Sequence, residues 1–107
     1  MEQVYTLALW RVKPGREAEF IAAWRDLGEA FARLQRPPGK GTLVQAVSDP
    51  QLFYSFGPWQ CLEDIEAMRN DMDAQRGIRR LMELCTEGQP GAFRVVAEAT
   101  AERPRTR

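Results

Sequence analysis

The fold of this chain is decided by one central stretch, Leu52-Phe-Tyr-Ser-Phe-Gly-Pro-Trp59-Gln-Cys-Leu-Glu-Asp-Ile65-Glu-Ala-Met68. Its aromatic first part, Leu52–Phe56, has the composition of a β-strand. After Trp59, the apolar residues Leu62, Ile65 and Met68 recur every three positions, which places them on one face of a helix. The stretch therefore predicts a strand, a tryptophan at its end and then a short amphipathic helix.

Further strands and helices are predicted on both sides of this stretch. Strand composition predicts β-structure over Val4–Val12, Thr42–Val47 and Ala92–Ala99. A long helix over 16–34 has one apolar stripe, made of Phe20, Trp24, Leu27, Phe31 and Leu34. A last helix has its own stripe, made of Ile78, Leu81, Met82 and Cys85.

Turn and loop signals separate these elements. Ser48-Asp49-Pro50 predicts a turn between the second and third strands, and 88–91 predicts a loop. The polar residues 70–73 are expected to split the second helical region, with Asp71 or Asp73 capping its later half. Residues 100–107 hold no large apolar side chain and are expected to form a flexible tail after a single domain over 1–99.

The element order is βαββαβ with a split second helix, which predicts a ferredoxin-like α+β fold with a four-stranded antiparallel sheet. Both crossovers place the helices on one sheet face. The other face is predicted to carry Leu52, Tyr54 and Phe56, so it needs a cover. The simplest cover is the sheet of an identical subunit, and we expect a homodimer through the sheet faces.

Composition excludes several classes of function. Fifteen basic residues balance fifteen acidic residues, which argues against a dedicated binder of nucleic acid or of a membrane surface. No apolar run is long enough to span a bilayer. The N-terminus lacks the features of a signal peptide, so a cytoplasmic location is expected, with Cys61 and Cys85 reduced.

The chain contains no histidine. This excludes histidine-based catalytic triads and histidine ligands for zinc or haem iron. No cluster has metal-ligand spacing, and the motifs of flavin, nicotinamide and haem proteins are missing, so we expect neither a metal nor a cofactor. Any proton transfer would use a carboxylate, a tyrosine, an arginine-bound water or the substrate itself.

Several short motifs, in their order along approximately residues 3–99, resemble the antibiotic-biosynthesis-monooxygenase-like family of dimeric α+β barrels. The motifs are Val12-Lys-Pro-Gly15, Glu19-Phe20 in the first helix, Pro-Gly39, Ser48-Asp49-Pro50, the Trp59 junction and the closing helix. The family includes cofactor-free oxygenases that convert dihydroxyaromatic substrates to quinones, and other members that degrade haem. The resemblance therefore implies the fold more strongly than any one reaction.

The resemblance also implies candidate residues. Haem-degrading members have Asn, Trp and His where this chain has Ala8, Met68 and Ile78, which disfavours that reaction here. In quinone-forming members the pattern is Asn, Trp, Tyr and Arg. Trp59 and Arg79 match its Trp and Arg, whereas Ser55 and Ile65 replace its Asn and Tyr.

Two hypotheses follow, and the sequence leaves both open. In the first, the protein is a cofactor-independent monooxygenase-like enzyme acting on an electron-rich aromatic or quinol. Arg79 would stabilise the substrate anion, Trp59 would stack on it and Ser55 would donate a hydrogen bond. The remaining substrate-binding residues of a mostly apolar cavity would be Phe53, Met68 and Ile78.

In the second hypothesis, the protein is a non-catalytic dimeric domain that binds a small apolar molecule or only assembles. Ser55 and Ile65, at two positions where the resemblance leads us to expect other polar groups, favour this alternative. Trp59 would then be a hydrophobic anchor between strand and helix, and Arg79 would belong to a solvated helix face.

Overall fold

The fold consists of one antiparallel sheet with helices on one of its faces. The computed structural model describes residues 3–101 and residue 103. Within these residues the elements, in chain order, are β1 (Val4–Val12), α1 (Glu17–Ala32), β2 (Thr42–Ala46), β3 (Asp49–Trp59), α2 (Leu62–Asn70), α3 (Met72–Glu83) and β4 (Cys85–Arg94).

The strand order across the sheet is β2-β3-β1-β4, and each neighbouring pair is antiparallel. This is the ferredoxin-like βαββαβ arrangement, so the predicted fold class is confirmed. The predicted split of the second helical region is also confirmed, because Asp71 separates α2 from α3 in an extended conformation. Its side chain accepts a hydrogen bond of 2.9 Å from the Ala74 backbone N–H and caps α3.

The helix-facing side of the sheet carries the hydrophobic core. Alternate residues of β1 and β3 point inward, as the period of two requires, and Trp10 lies opposite Phe53. The ring of Phe20 from α1 packs between these two, with centroid distances of 5.7 Å to Trp10 and 5.1 Å to Phe53. This cluster fixes the angle at which α1 lies across the sheet.

Polar contacts link the helices to one another and to the segments that connect them. Glu19 of α1 accepts hydrogen bonds from Arg16 in the preceding turn and from Arg80 on α3. The hydrogen bond from Arg16 is the main cause that lowers the pKa of Glu19 to about 2. Asp64 at the start of α2 is buried and pairs with Arg36, at 3.3 Å between Oδ1 and Nε, in the connection that follows α1.

The prediction for the last strand was wrong in position. β4 spans Cys85–Arg94, so residues 88–91 are part of the strand, and residues 95–101 have no regular secondary structure. β4 is an edge strand, and a proline such as Pro90 is tolerated at a sheet edge because an N–H that faces away from the sheet has no neighbouring strand to pair with. Gly88 is needed for space, because a Cβ there would lie 3.0 Å from the Trp10 ring.

Two smaller expectations were also wrong. The turn between β2 and β3 lies at Val47-Ser48, and Asp49 and Pro50 already belong to β3. Met82 is exposed, because it follows Leu81 on the helix and is rotated away from the buried side. Cys85 is buried as predicted, but in β4.

The opposite face of the sheet is apolar and exposed. Tyr54 and Phe56 of β3 point away from the helices, as the alternation of β3 predicted, and are 40% and 37% exposed. They are joined on this face by three further exposed apolar residues, Leu7, Val44 and Phe93. We call this set the outer sheet face.

Two other expectations concern the ends of the chain and the membrane. Most of the predicted flexible tail over 100–107 lies outside the described residues, and its flexibility stays a prediction. Among the residues that are described, no helix combines the length and apolar character needed to cross a membrane.

Candidate functional site

A cavity of about 880 Å³ lies between the inner sheet face and α1. β1 and β3 form its floor, α1 forms its roof, and the segment 37–41 borders it on one side. Met68 of α2 and Ile78 of α3 line it as well. Its volume is within the range of small-molecule sites, which run from about 300 to 1,000 Å³.

Two indole–hydroxyl hydrogen bonds cross the floor of the cavity between β1 and β3. The Nε1–H of Trp10 on β1 donates to the Oγ of Ser55 on β3, at 2.9 Å. The Nε1–H of Trp59 on β3 donates to the Oγ1 of Thr6 on β1, at 3.0 Å. All four side chains line the cavity, so both tryptophans are fixed in orientation with no free indole N–H to offer a ligand.

These bonds leave the two hydroxyl protons available. A hydroxyl group has one proton and two lone pairs, and the indole N–H occupies one lone pair of each oxygen. Within the described part of the chain, neither Ser55 nor Thr6 donates its proton to another side chain or to the backbone. The floor of the cavity therefore presents two neutral hydrogen-bond donors.

Small residues create the open space. Ala8 lies opposite Ser55, and Gly57 lies opposite Thr6, so the floor between the two tryptophans has little side-chain bulk. A Cβ on Gly57 would lie 3.2 Å from the backbone of Gly41, a tight contact that favours glycine at this position. On the roof, a Cβ on Gly28 would meet no atom within 4 Å, so the space beneath α1 is open there.

Aromatic side chains form much of the wall. Phe31 of α1 packs edge-on against Trp59, with a centroid distance of 5.4 Å and an interplanar angle of 67°. Trp24, one helical turn before Gly28, also lines the cavity and lies against Gly41. A planar apolar ligand would meet ring surfaces on several sides.

The charged residues that line the cavity all carry positive charge. They are Arg25 on α1, Lys40 in the bordering segment and Arg69 on α2, and all three are exposed at its rim. None of them forms an ion pair with a carboxylate of the described residues, whereas Arg11, Arg16, Arg36, Arg76 and Arg80 all do. No carboxylate lines the cavity among the described residues.

The structure brings four of the six predicted site residues together. Ser55, Trp59, Met68 and Ile78 all line the cavity. Phe53 is instead packed in the core beside Phe20 and does not line the cavity.

Arg79 is exposed on α3 and is not part of the cavity lining. Its neighbour Ile78 takes the inward position, and a residue one step further along a helix is rotated by about 100°. The structure therefore does not place the Arg79 guanidinium at the cavity, and its catalytic role stays a prediction.

The sequence reasoning missed Thr6, Trp10 and the three rim cations. Trp10 and Thr6 both fall within the predicted first strand, and only the strand register shows that each forms a hydrogen bond across the floor. Arg25 and Arg69 lie on helix faces that also carry other charges. No sequence signal separates them from solvated surface arginines, and it is their position in the cavity lining that does so in the structure.

No group of three or more cysteine and carboxylate side chains in the described part of the chain is placed to hold a metal ion. Cys85 is buried near the start of β4, and burial raises the pKa of its thiol to about 11, although Lys13 opposes the shift. Neither cysteine lines the cavity.

Comparison with solved structures gives close matches in fold. SnoaB, a cofactor-independent oxygenase from Streptomyces nogalater solved as an asparagine-to-alanine mutant, superposes with a TM-score of 0.80 at 18% identity. The match covers 96% of this chain and 100% of SnoaB. A Bordetella bronchiseptica protein provisionally named an antibiotic biosynthesis monooxygenase has a TM-score of 0.77 at 22% identity, covering 91% of this chain and 100% of its own.

The chain has the fold of the antibiotic biosynthesis monooxygenases. The same fold occurs in a conserved protein from Methanosarcina mazei, with a TM-score of 0.76 at 16% identity, covering 87% of this chain and 92% of that one. No family profile and no curated protein sequence matches this chain. The resemblance seen in the sequence is thus confirmed at the level of fold, while the reaction has to be argued from the cavity.

Proposed function

We propose that this protein is a cofactor-independent monooxygenase-like enzyme that oxidises an electron-rich aromatic or quinol substrate in the cavity. The observation that carries this proposal is the mostly apolar, aromatic-walled cavity with two hydroxyl donors on its floor. The fold is shared with SnoaB, which is a cofactor-independent oxygenase. That likeness supports the reaction class without fixing the substrate.

Cofactor-free oxidation of a phenol by O₂ suits a site whose lining has no acid–base pair. In a phenol that is oxidised to a quinone, one ring C–H becomes a carbonyl. The substrate gives up four electrons, one oxygen atom of O₂ enters the ring, and the other oxygen atom leaves as water. The electrons come from the substrate anion, so the protein has to bind the ring away from water, favour the anion and hold it in place.

The cavity lining supports each of these tasks. The aromatic walls exclude water and orient a flat ring, and Ser55 and Thr6 can donate to oxygens of the bound anion. The positive rim of Arg25, Lys40 and Arg69 favours a negatively charged substrate. Within this proposal the rim cations take over the anion-stabilising task first predicted for Arg79.

A second candidate is the non-catalytic ligand-binding domain. It is favoured by one observation, which is that no carboxylate or tyrosine in the described part of the chain lines the cavity to act as a general base. Such a protein would bind the same planar molecule and release it unchanged. The two candidates differ only in whether oxygen reacts.

We also propose that the protein forms a homodimer through the outer sheet face. The side chains of Leu7, Val44, Tyr54, Phe56 and Phe93 make this face apolar and exposed. Monomers rarely leave apolar patches larger than a few hundred Å² in water. An identical sheet would cover these residues and close the two sheets into a barrel. The cytoplasmic location expected from the sequence stays a prediction.

The experiment is oxygen consumption with a panel of hydroquinones and naphthols, with the product identified by absorbance and mass. For 1-naphthol the enzyme should consume one O₂ per naphthol and yield 1,4-naphthoquinone and water. Uptake at the rate of substrate autoxidation, with every member of the panel, would support the binding domain instead.

The Arg79→Gln variant tests the catalytic role first predicted for that residue. Because Arg79 lies outside the cavity, we expect its removal to change the rate less than twofold. A loss of about tenfold or more, equal to about 1.4 kcal/mol of transition-state stabilisation, would restore Arg79 to the active site.

A further inference from the structure

The rim of the cavity has an uncompensated positive charge in a protein whose net charge is zero. Arg25, Lys40 and Arg69 come from three separate segments of the chain, and all three line the same cavity. None of these three side chains forms an ion pair with a carboxylate of the described residues. Cations that converge on an apolar cavity without carboxylate partners are suited to an anionic ligand.

The floor of the same cavity offers neutral hydrogen-bond donors instead of charged groups. Ser55 and Thr6 are diagonal neighbours across β1 and β3, with Gly57 opposite Thr6 and Ala8 opposite Ser55. Neither hydroxyl proton is donated to another group of residues 3–101, and both oxygens accept from an indole N–H. Neutral, oriented donors in an apolar surrounding recognise a ring oxygen, and they provide no full charge to neutralise an acidic group.

We infer that the ligand is a planar aromatic hydroxy acid, bound in one orientation. Its ring lies between the tryptophans, its ring oxygen accepts from the Ser55 or Thr6 hydroxyl, and its carboxylate lies at the rim beside Arg25, Lys40 and Arg69. This assignment rests on the proposed function for the location of the site and names the class of substrate. It does not require that oxygen reacts, so binding and turnover can be tested separately.

The primary test is calorimetric binding in the absence of oxygen, with three probes that differ by one group. The probes are 5-hydroxy-2-naphthoate, which has both groups on different rings, 1-naphthol, which lacks the carboxylate, and 2-naphthoate, which lacks the ring hydroxyl. All three tryptophans of the chain line the cavity, so quenching of their fluorescence reports whether a probe binds there.

We expect 5-hydroxy-2-naphthoate to bind at least about tenfold more tightly than 1-naphthol, and this advantage to shrink as salt is added. In the double variant Arg25→Gln, Arg69→Gln the advantage should fall to about threefold or less, because 5-hydroxy-2-naphthoate should lose more affinity than 1-naphthol. The control is Arg33→Gln, an exposed arginine at the end of α1 that does not line the cavity and should keep the full advantage.

The hydroxyl donors of the floor are tested at Thr6, with the variants Thr6→Val and Thr6→Ser. Valine removes the hydroxyl while keeping the shape, and serine keeps the hydroxyl. Thr6→Val should weaken the binding of 5-hydroxy-2-naphthoate more than that of 2-naphthoate, and Thr6→Ser should keep the relative affinities of the wild type. Because Thr6→Val also leaves the Trp59 N–H without its acceptor, thermal unfolding of both variants must show that they remain folded.

Equal affinity for 5-hydroxy-2-naphthoate and 1-naphthol, or equal losses in the double variant and in Arg33→Gln, would overturn the inference. The results that would reject the proposed function differ from those that would reject the inference. Charge-selective binding without any oxygen uptake would keep the inference and reject the oxygenase. Oxygen uptake from 1-naphthol, with no preference for the acid in binding, would keep the oxygenase and reject the inference.

Discussion

Gly28 shows how one missing side chain shapes the site. It lies in the interior of α1, where glycine is less favourable than alanine by about 1 kcal/mol, and a Cβ there would meet no atom within 4 Å. Gly28→Ala should therefore raise the free energy of unfolding by up to about 1 kcal/mol, as measured by urea denaturation.

Gly77 on α3 is the matched comparison, because a Cβ there would lie 2.7 Å from Cδ1 of Leu27 on α1. The gain in helix propensity would be offset by displacement of a buried leucine, so Gly77→Ala should be less stabilising than Gly28→Ala or destabilising. Equal stabilisation by both substitutions would contradict the close approach of α1 and α3 at this point.

Cys85 should make stability fall at high pH. Burial raises its folded-state pKa to about 11, above the unfolded value of about 8.5. Its contribution is fully present below the unfolded pKa and is lost as the pH rises towards 11, because only the unfolded chain readily forms the thiolate. The free energy of unfolding should thus decline less steeply between pH 8 and 11 in Cys85→Ala than in the wild type. Parallel pH profiles would contradict this account.

At the scale of elements, Glu19 connects α1 to α3 through Arg80 and should make the protein sensitive to acid. Its folded-state pKa is about 2, below the unfolded value, so its stabilisation is present above the unfolded pKa and is lost as the pH falls towards 2. Glu19→Gln should flatten the loss of stability between pH 5 and 2.5. The effect should be small and salt-dependent, because the pair is exposed.

The control for Glu19 is Glu29→Gln, which removes another exposed carboxylate of α1 that forms no ion pair with the described residues. It should leave the acid profile of the wild type intact. An unchanged acid profile in Glu19→Gln, measured by urea denaturation at both pH values, would show that this ion pair does not stabilise the α1–α3 contact.

Sequence patterns predicted most elements because each one is a local property. The spacing of apolar residues located α1, and alternation along β3 correctly separated Phe53 and Trp59 from Tyr54 and Phe56. The last strand was predicted at the wrong residues because the glycines and the proline of β4 are loop signals. A strand can contain them here because Gly88 leaves space for Trp10 and because β4 lies at the sheet edge.

The site was less predictable than the elements. Ser55 and Trp59 were found through the family resemblance, but their actual partners, Trp10 and Thr6, come from the pairing of β1 with β3. The rim charges depend on three segments that are distant in sequence. Such juxtapositions are set by the three-dimensional packing and not by any local pattern.

At the scale of the whole molecule, the outer sheet face predicts a dimer. Obligate interfaces commonly bury on the order of 2,000 Å² or more, and the outer sheet face presents an apolar surface on which such an interface can form. Light scattering at micromolar concentration should return twice the mass of the chain. The double variant Tyr54→Lys, Phe56→Lys should be monomeric, because it would place charges within the apolar contact.

The matched control for the dimer is Met82→Lys, which changes an apolar side chain of similar exposure, 42%, on α3 rather than on the sheet. It should leave the mass unchanged. A wild-type protein that is monomeric at micromolar concentration would contradict the prediction, as would dissociation caused equally by both changes.

The central claim is that oxygen reacts with an aromatic substrate inside the cavity under α1, and the most direct test is oxygen uptake by a variant in which that space is filled. Gly28→Leu adds a side chain into open space on the cavity roof, and Glu29→Leu adds the same side chain at an exposed position of α1 outside the lining. The account predicts quinone formation above autoxidation by the wild type and Glu29→Leu, with a loss of about tenfold or more in a folded Gly28→Leu. Equal turnover by all three proteins would contradict it.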